Sequence, residues 1–241
     1  MKLFSLCFAD DLLLFCRSEE HLVLLFRDAL HEFAALSGLH ANISKSQLIL
    51  SKSASSMRDR LLMILGFQEG HLPVRYLGLP LISSRLSIDD CKPLLRKVDE
   101  RLQGWSSLSL SFAARLQLLK SVILALNVYW ATAFILPKGV LKTVEARMRK
   151  FLWQGGRDSG VAKVAWVNVC KPLEEGGQGL RRLEPLNRAL MSRYFWDVLE
   201  VNTSSVWVTW IITRYLRRRS IWTTRDGGGS WSWRKILKLR Q

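Results

Sequence analysis

The run Leu3-Phe4-Ser5-Leu6-Cys7-Phe8-Ala9-Asp10-Asp11-Leu12-Leu13-Leu14-Phe15 sets two adjacent carboxylates between two apolar stretches. An ionised carboxylate beside apolar surface is tolerated where a cation, a hydrogen-bond cluster or solvent at a tight turn replaces its lost hydration. Two short β-rich segments reversing at Ala9-Asp10-Asp11 meet that condition, with both acids at a hairpin tip and the flanks buried on both faces. Asp is also an ordinary turn former. Phe8 to Leu12 alone therefore leave open whether the pair gathers a divalent ion or only closes a turn.

Working outward, Glu19 to Leu36 reads as an amphipathic helix with Leu22, Leu25, Phe26, Ala29, Phe33 and Leu36 on one stripe, Ser18 as candidate cap and Gly38 just past its end. Ser37-Gly38-Leu39, Asn42, Lys45-Ser46 and Tyr76-Leu77-Gly78-Leu79-Pro80 follow in that order. This ordered set resembles the reverse transcriptases of non-LTR (LINE-type) retrotransposons, particularly those of plants. In that family an aromatic-Ala-Asp-Asp turn precedes a helix, a Gly-Leu…Asn…Lys-Ser segment and a Tyr-Leu-Gly element. The resemblance continues through Trp105, Ala113-Ala114-Arg115 and Leu118-Leu119-Lys120-Ser121-Val122. It extends to Trp153, Gly155, Trp166, Lys171-Pro172, Gly176-Gly177-Gln178-Gly179-Leu180 and Asn187-Arg188-Ala189-Leu190, and weakens after about Asn202.

The resemblance implies two-metal phosphoryl transfer with Mg²⁺, or Mn²⁺ in its place, on an RNA template and a DNA primer. Asp10 is then the principal metal ligand and Asp11 its support, while Lys45 is a candidate acid near the leaving phosphates. Tyr76, Leu77 and Gly78 correspond to the primer grip, where glycine admits close backbone approach to nucleic acid. Without the family, Lys45 reads as a solvated loop lysine and Tyr76 to Pro80 as a strand entering a turn. Met1 lies a few residues before the Asp-Asp turn, so the family's upstream Asp and its fingers are expected to be missing. Two neighbouring carboxylates do not fix two Mg²⁺ ions. The expectation is a fragment with no polymerase activity alone, whose metal site is completed only by further residues.

The expected fold is α+β and predominantly helical, a partial right-hand palm (β-hairpin plus helix) followed by a helical thumb bundle. Its expected divisions are residues 1–85 (palm), 86–155 (thumb-like bundle) and 156–241 (a basic, Trp-rich region). Ser46 to Ser51 and Val74 to Leu77 read as strands, and Ser56 to Leu65 as a short helix closed by Gly66. A long helix capped by Ser87 carries Asp89 and Asp90 in its first turn and Cys91, Leu94, Leu95, Val98, Leu102 and Trp105 at helical spacing. Phe112 to Ala133 gives a second, with Ala114, Leu118, Val122, Ala125, Leu126, Tyr129 and Ala133 on one stripe. Gly139 to Leu152 gives a third, with Val140, Val144, Met148 and Phe151 inward, before a break at Gly155-Gly156. Val161 to Val169 is β-rich, Glu174 to Gly179 a loop, and Pro185 to Val201 and Ser205 to Arg218 helical. The nucleic-acid-binding candidates are Lys92, Arg96, Arg115, Lys120, Lys142, Arg149 and Lys150; a charged helix face of this kind is also an ordinary solvated face. The tail Trp231-Ser232-Trp233-Arg234-Lys235 combines aromatics with cations beyond the glycines Gly227 to Gly229.

A chain of 241 residues with 49% hydrophobic content supports one or two domains with a real core. Its formal net charge of +16 is uneven, with 15 Lys/Arg against 12 Asp/Glu in residues 1–120 and 21 against 8 in residues 121–241. A basic second half attracts phosphate backbones by counterion release. Cys7, Cys16, Cys91 and Cys170 are scattered, and His21, His31, His40 and His71 form no ligand-like pair, which argues against disulfides and zinc. No signal-peptide pattern follows Met1, and the apolar stretch from Val122 to Leu136 contains Asn127 and is short for a membrane span. The expected setting is intracellular, in nucleus or cytoplasm, without a membrane partner; oligomeric state is not encoded legibly. Three function classes stay open: a reverse transcriptase fragment, a non-catalytic RNA/DNA-binding module, and a decayed retroelement product.

Overall fold

In the computed structural model, which describes residues 5–106, 108–154, 162–217, 219–224 and 229–240, β1 (Ser5–Phe8) and β2 (Asp11–Leu14) pair antiparallel from Ser5↔Leu14 to Phe8↔Asp11. The reversal is a two-residue turn, Ala9-Asp10, with Ala9 at a left-handed φ of 52°. Helix α1 (Glu20–Ser37) ends where Gly38 takes φ 72° and returns its N–H to the Ala34 carbonyl. Strand β3 (Gln47–Ile49) lies parallel to β4 (Gln68–Gly70), and helix α2 (Arg58–Leu65) sits in the crossover between them. A second hairpin pairs β5 (Val74–Tyr76) with β6 (Leu79–Leu81). Its turn residues Leu77 (φ 49°) and Gly78 (φ 76°) are both left-handed, the conformation that matches the twist of the flanking strands.

These elements form one compact unit, residues 1–83, and residues 84–241 form another. In the first, α1 packs on α2, yet the expected burial is largely missing. The hairpin flanks do not bury on both faces, since Phe8 is 61% and Leu12 46% exposed. Of the α1 residues only Val23 is buried, while Leu25, Phe33 and Leu36 from the expected stripe face outward. Ser18 is not its cap either, because the flanking residue is Glu19 and it makes no side-chain cap bond. The physical reason is scarcity of opposing surface: three two-stranded pieces and two helices bury only Val23, Ala54 and Leu61 among the described hydrophobic residues.

The second unit is helical. Ser87 and Asp90 bond reciprocally (Ser87 N–H to Oδ2 2.8 Å, Asp90 N–H to Oγ 3.1 Å) ahead of α3 (Lys92–Ser106), so Asp89 and Asp90 lie just before that helix rather than in its first turn. The expected α3 stripe holds, with Cys91, Leu94, Val98 and Leu102 buried. Phe112–Ala133 is one helical run: α4 (Phe112–Leu118), a π turn (Leu119–Ile123) and α5 (Leu124–Ala133). Ser111 caps it by accepting the Ala114 N–H. Its inward residues are Leu119, Ile123, Asn127, Trp130 and Ala131, one position beyond much of the expected stripe, and Tyr129 is exposed. The run is long and apolar enough to cross a membrane by length and composition, and its α5 portion packs against α8 (Leu183–Leu199).

Helix α6 (Lys138–Gln154) buries Val140, Leu141, Val144, Met148, Phe151 and Leu152 against α3, α4 and α8. The segment expected to be β-rich around Trp166 is instead a single helical turn, α7 (Trp166–Val169), because Trp166 and Val169 at i and i+3 both reach the core. The last part places α8, α9 (Val206–Ile211), a π turn (Ile212–Leu216) and α10 (Trp231–Leu237) around Phe195, Val208, Ile211, Trp233 and Leu237. Asn187 ties α8 to the end of α5: it accepts the Leu136 N–H (2.8 Å) and donates to the Ala131 (3.0 Å) and Phe134 (2.8 Å) carbonyls. The described residues are mixed and predominantly helical: the first unit carries two short β-hairpins and one parallel strand pair, and the second is a helical bundle. The expected break at Gly155-Gly156, the start of the β-rich segment at Val161, and Arg218, Gly227 and Gly228 lie outside the described residues.

Candidate metal and nucleic-acid binding residues

Asp10 occupies the second turn position of the first hairpin and Asp11 opens β2, so both carboxylates stand exposed at its tip, as expected for a backbone reversal. No group of three or more His, Cys, Asp or Glu suited to a metal ion occurs among the described residues. Mg²⁺ requires near-octahedral oxygen geometry and gives up water reluctantly. The Asp10-Asp11 pair by itself therefore does not fit the two-ion cage that the family resemblance implies.

Lys45 is presented by an Asx turn. The Asn42 side chain accepts from the Ser44 hydroxyl (2.7 Å) and the Lys45 N–H (3.2 Å), and the Asn42 carbonyl accepts from the Ser46 N–H (2.9 Å). That turn feeds β3 and leaves the Lys45 side chain on the surface. Tyr76 ends β5, and Leu77 and Gly78 make the tight turn after it, so these three share one hairpin end. Two residues that sequence reasoning passed over stand near Lys45: Arg75 and His71 line the same groove. The signal available for Arg75 was strand alternation, since it points away from the face shared by its half-buried neighbours Val74 and Tyr76; His71 lies between β4 and β5, where alternation gives no signal.

The cationic residues of the second unit differ in how free they are. Lys92 is paired with Asp89 (2.6 Å) and Arg96 with Glu100 (3.5 Å). Arg147 is spent structurally, on Asp99 (3.1 Å) and the Leu95 carbonyl (3.1 Å). Lys142 and Arg149 are seven residues apart on α6, hence on one face, with Lys150 next to it; all three are exposed. The Arg149 guanidinium lies 5.7 Å over the Trp166 ring, a cation–π contact that fixes α7 to α6. Arg115 is half-buried and its Nε makes no hydrogen bond. Lys120 lies beside the Gly176-Gly177-Gln178-Gly179 loop, 3.5 Å from where a Cβ on Gly179 would stand. Gly177 is required there, because a Cβ would meet the Lys171 carbonyl oxygen at 2.1 Å.

Charge separates the two units completely. Residues 1–83 hold eight Lys/Arg and eight Asp/Glu, whereas residues 84–241 hold 28 and 12, so the whole net charge of +16 belongs to the helical unit. Cys170 and Cys91 sit in that unit as inert thiols: burial pushes Cys91 up to about 12, with the Asp90 charge adding to it, and Cys170 up to about 11, with Glu145 adding to it.

No family model matches the chain. It is 33% identical over 162 residues to the Arabidopsis thaliana protein "Putative ribonuclease H protein At1g65750". That stretch covers 66% of this chain and 26% of the relative, so the chain spans about a quarter of the length of the curated protein it matches. The likeness places the chain in distant homology with a plant protein named for action on nucleic acid.

Proposed function

We propose that this chain is part of the polymerase region of a plant-type non-LTR retroelement reverse transcriptase, and that on its own it holds nucleic acid without copying it. The observation that carries the reading is the hairpin that reverses at Ala9-Asp10 with both carboxylates outward, followed in order by a helix, the Lys45 turn and the Tyr76-Leu77-Gly78 turn. In this reading residues 1–83 are palm-like and α3 to α6 thumb-like. Asp10 and Asp11 contribute to a Mg²⁺ or Mn²⁺ site that needs at least one further carboxylate from beyond the described residues. Lys142, Arg149, Lys150, Arg115 and Lys120 supply the grip on an RNA–DNA hybrid; Lys92 and Arg96 contribute less, because acids already pair them. The ribonuclease name of the Arabidopsis protein is not carried over, since the shared stretch is a minor part of that protein.

Two measurements on the full chain test this. RNA–DNA hybrid should bind with an affinity that falls with salt, at a slope near −0.9 for each phosphate neutralised. Primer extension with Mg²⁺ or Mn²⁺ should give no product. Template-dependent synthesis that disappears in Asp10→Ala would overturn the inactive reading, and absence of hybrid binding at low salt would overturn the assignment as a nucleic-acid-holding element.

A further inference from the structure

Helix α1 carries two apolar faces. One holds Val23, Leu30 and Ala34 with Arg27, all buried or half-buried, on a helix that packs against α2. The other is the stripe Leu22, Leu25, Ala29, Phe33 and Leu36, on which Leu25 is 61%, Phe33 55% and Leu36 83% exposed. We propose that this stripe is a self-association surface, on which a second copy of the chain lays its own α1 antiparallel, with a two-fold axis at Ala29.

Symmetry of spacing singles out a second copy as the occupant. From Leu22 to Leu36 the stripe runs in steps of three, four, four and three residues, so it reads the same in both directions about Ala29. A two-fold pair needs a surface complementary to itself, in which residue i meets j while j meets i. Turned about Ala29, Leu25 of one copy meets Phe33 of the other and Leu22 meets Leu36. The smallest side chain of the five then meets its own copy on the axis, where it lets the helices approach to the near end of the usual separation of about 8–10 Å. Charge favours the same unit. Residues 1–83 carry eight Lys/Arg and eight Asp/Glu, so two copies meeting here oppose no net charge, whereas the excess of 16 cations in residues 84–241 repels its like. The five residues leave on the order of 450 Å² open per copy, about 900 Å² for the pair, below the roughly 1,600 Å² of a standard stable interface. The dimer is therefore weak, with a Kd on the order of tens of micromolar, and the dilute chain is a monomer. One group opposes it: Glu32, seven residues after Leu25, is exposed beside the stripe. The two-fold axis sets both Glu32 carboxylates on the same edge of the helix pair, where like charges repel.

This surface uses none of the residues assigned to metal, primer or nucleic acid, so it stands or falls apart from the polymerase reading. Sedimentation equilibrium of the full chain, run from about 1 to 200 micromolar, should show a monomer–dimer equilibrium that closes at two copies. A monomer throughout, or growth beyond the dimer, overturns the proposal. Phe33→Glu should weaken the dimer at least tenfold with the helical circular dichroism unchanged, since the position is exposed in the monomer. A dimer that survives this change forms through another surface and overturns the assignment. Glu32→Gln removes the like-charge contact and should tighten the dimer severalfold; weaker association overturns the antiparallel register. A cross-link reads the axis directly. In a chain whose exposed Cys7 and Cys16 are changed to Ser, Ala29→Cys treated with copper phenanthroline in air should give a disulfide joining position 29 to position 29, identified by peptide mass mapping. His31→Cys, exposed on the opposite side of α1, should stay largely uncoupled. Equal coupling at 29 and 31, or none at 29, overturns the two-fold pairing even where a dimer is present.

Discussion

The two units of this chain are opposites in how they use apolar side chains. Residues 84–241 contain 30 of the 33 buried hydrophobic residues described, whereas residues 1–83 contain three, and 14 large hydrophobic residues are exposed there. The difference is not one of patterning, because α1 in the first unit is as periodic as α6 in the second. It is one of opposing surface. Helix α6 has α3, α4 and α8 against it, whereas α1 packs mainly on α2 among the described residues. Periodicity sets the direction in which a segment faces; a core forms only where a second surface arrives to receive it.

The sharpest separation should come from thiol chemistry. A thiol held near 12 exposes a thiolate fraction at pH 8 on the order of a thousandfold below that of a free cysteine. Burial favours the neutral thiol, so reactivity falls in the folded state and returns on unfolding. Exposed Cys7 in the first unit should react with iodoacetamide directly, while Cys91 and Cys170 react only after denaturation. Mass mapping of a labelling time course checks this, and equal rates at Cys7 and Cys91 would mean that the helical core is loose.

Truncation should next separate the units by stability. Met148 is fully buried, and Met148→Ala should cost about 2–5 kcal/mol in chemical denaturation of the helical unit. Leu36 is 83% exposed, and Leu36→Ala should stay within about 0.5 kcal/mol. A loss of similar size at both positions would show that α1 has a buried partner in solution and would erase the contrast.

Which parts of this were legible from residues alone follows from the range of the forces involved. The α6 stripe, the Gly38 and Gly66 helix ends and the Ala9-Asp10 reversal are local, and all are where the sequence points. The inward face of this helix runs one position beyond the expected stripe from Leu119 onward, and the π turn at Leu119–Ile123 departs from the regular helical spacing on which that stripe rests. The turn at Trp166 goes against its β propensity because tertiary packing of Trp166 and Val169 outweighs it. The Lys45 turn is visible in Asn42, but its meeting with Arg75 and His71 depends on β3 pairing with β4 across a crossover, which spacing does not disclose.

Asn187 is the extreme case of that non-local information. Nothing around it in sequence marks it as a latch, yet it joins α8 to three backbone groups more than 50 residues away. Asn187→Ala would leave the Leu136 N–H and the Ala131 and Phe134 carbonyls without their side-chain partner inside the helical unit. A cost of about 1–3 kcal/mol is expected from denaturation of that unit, with the first unit's proteolytic sensitivity unchanged. A neutral result would mean that water reaches the end of α5.

The smallest effect tests the first unit at its most suggestive point. Ala9 holds a left-handed φ of 52° at the tip that carries Asp10 and Asp11, a conformation an L residue adopts at a steric cost and glycine does not. Ala9→Gly should therefore stabilise the hairpin by about 1 kcal/mol, despite the extra freedom glycine has when unfolded. Hydrogen exchange of the β1 and β2 amides should slow by roughly fivefold, with the helical unit unaffected. If the exposed hairpin is held by its turn and ladder alone, relief at Ala9 is felt in full, because no core masks it. Unchanged or faster exchange would mean that Ala9 is not left-handed in solution, and the outward presentation of both carboxylates would lose its geometric basis.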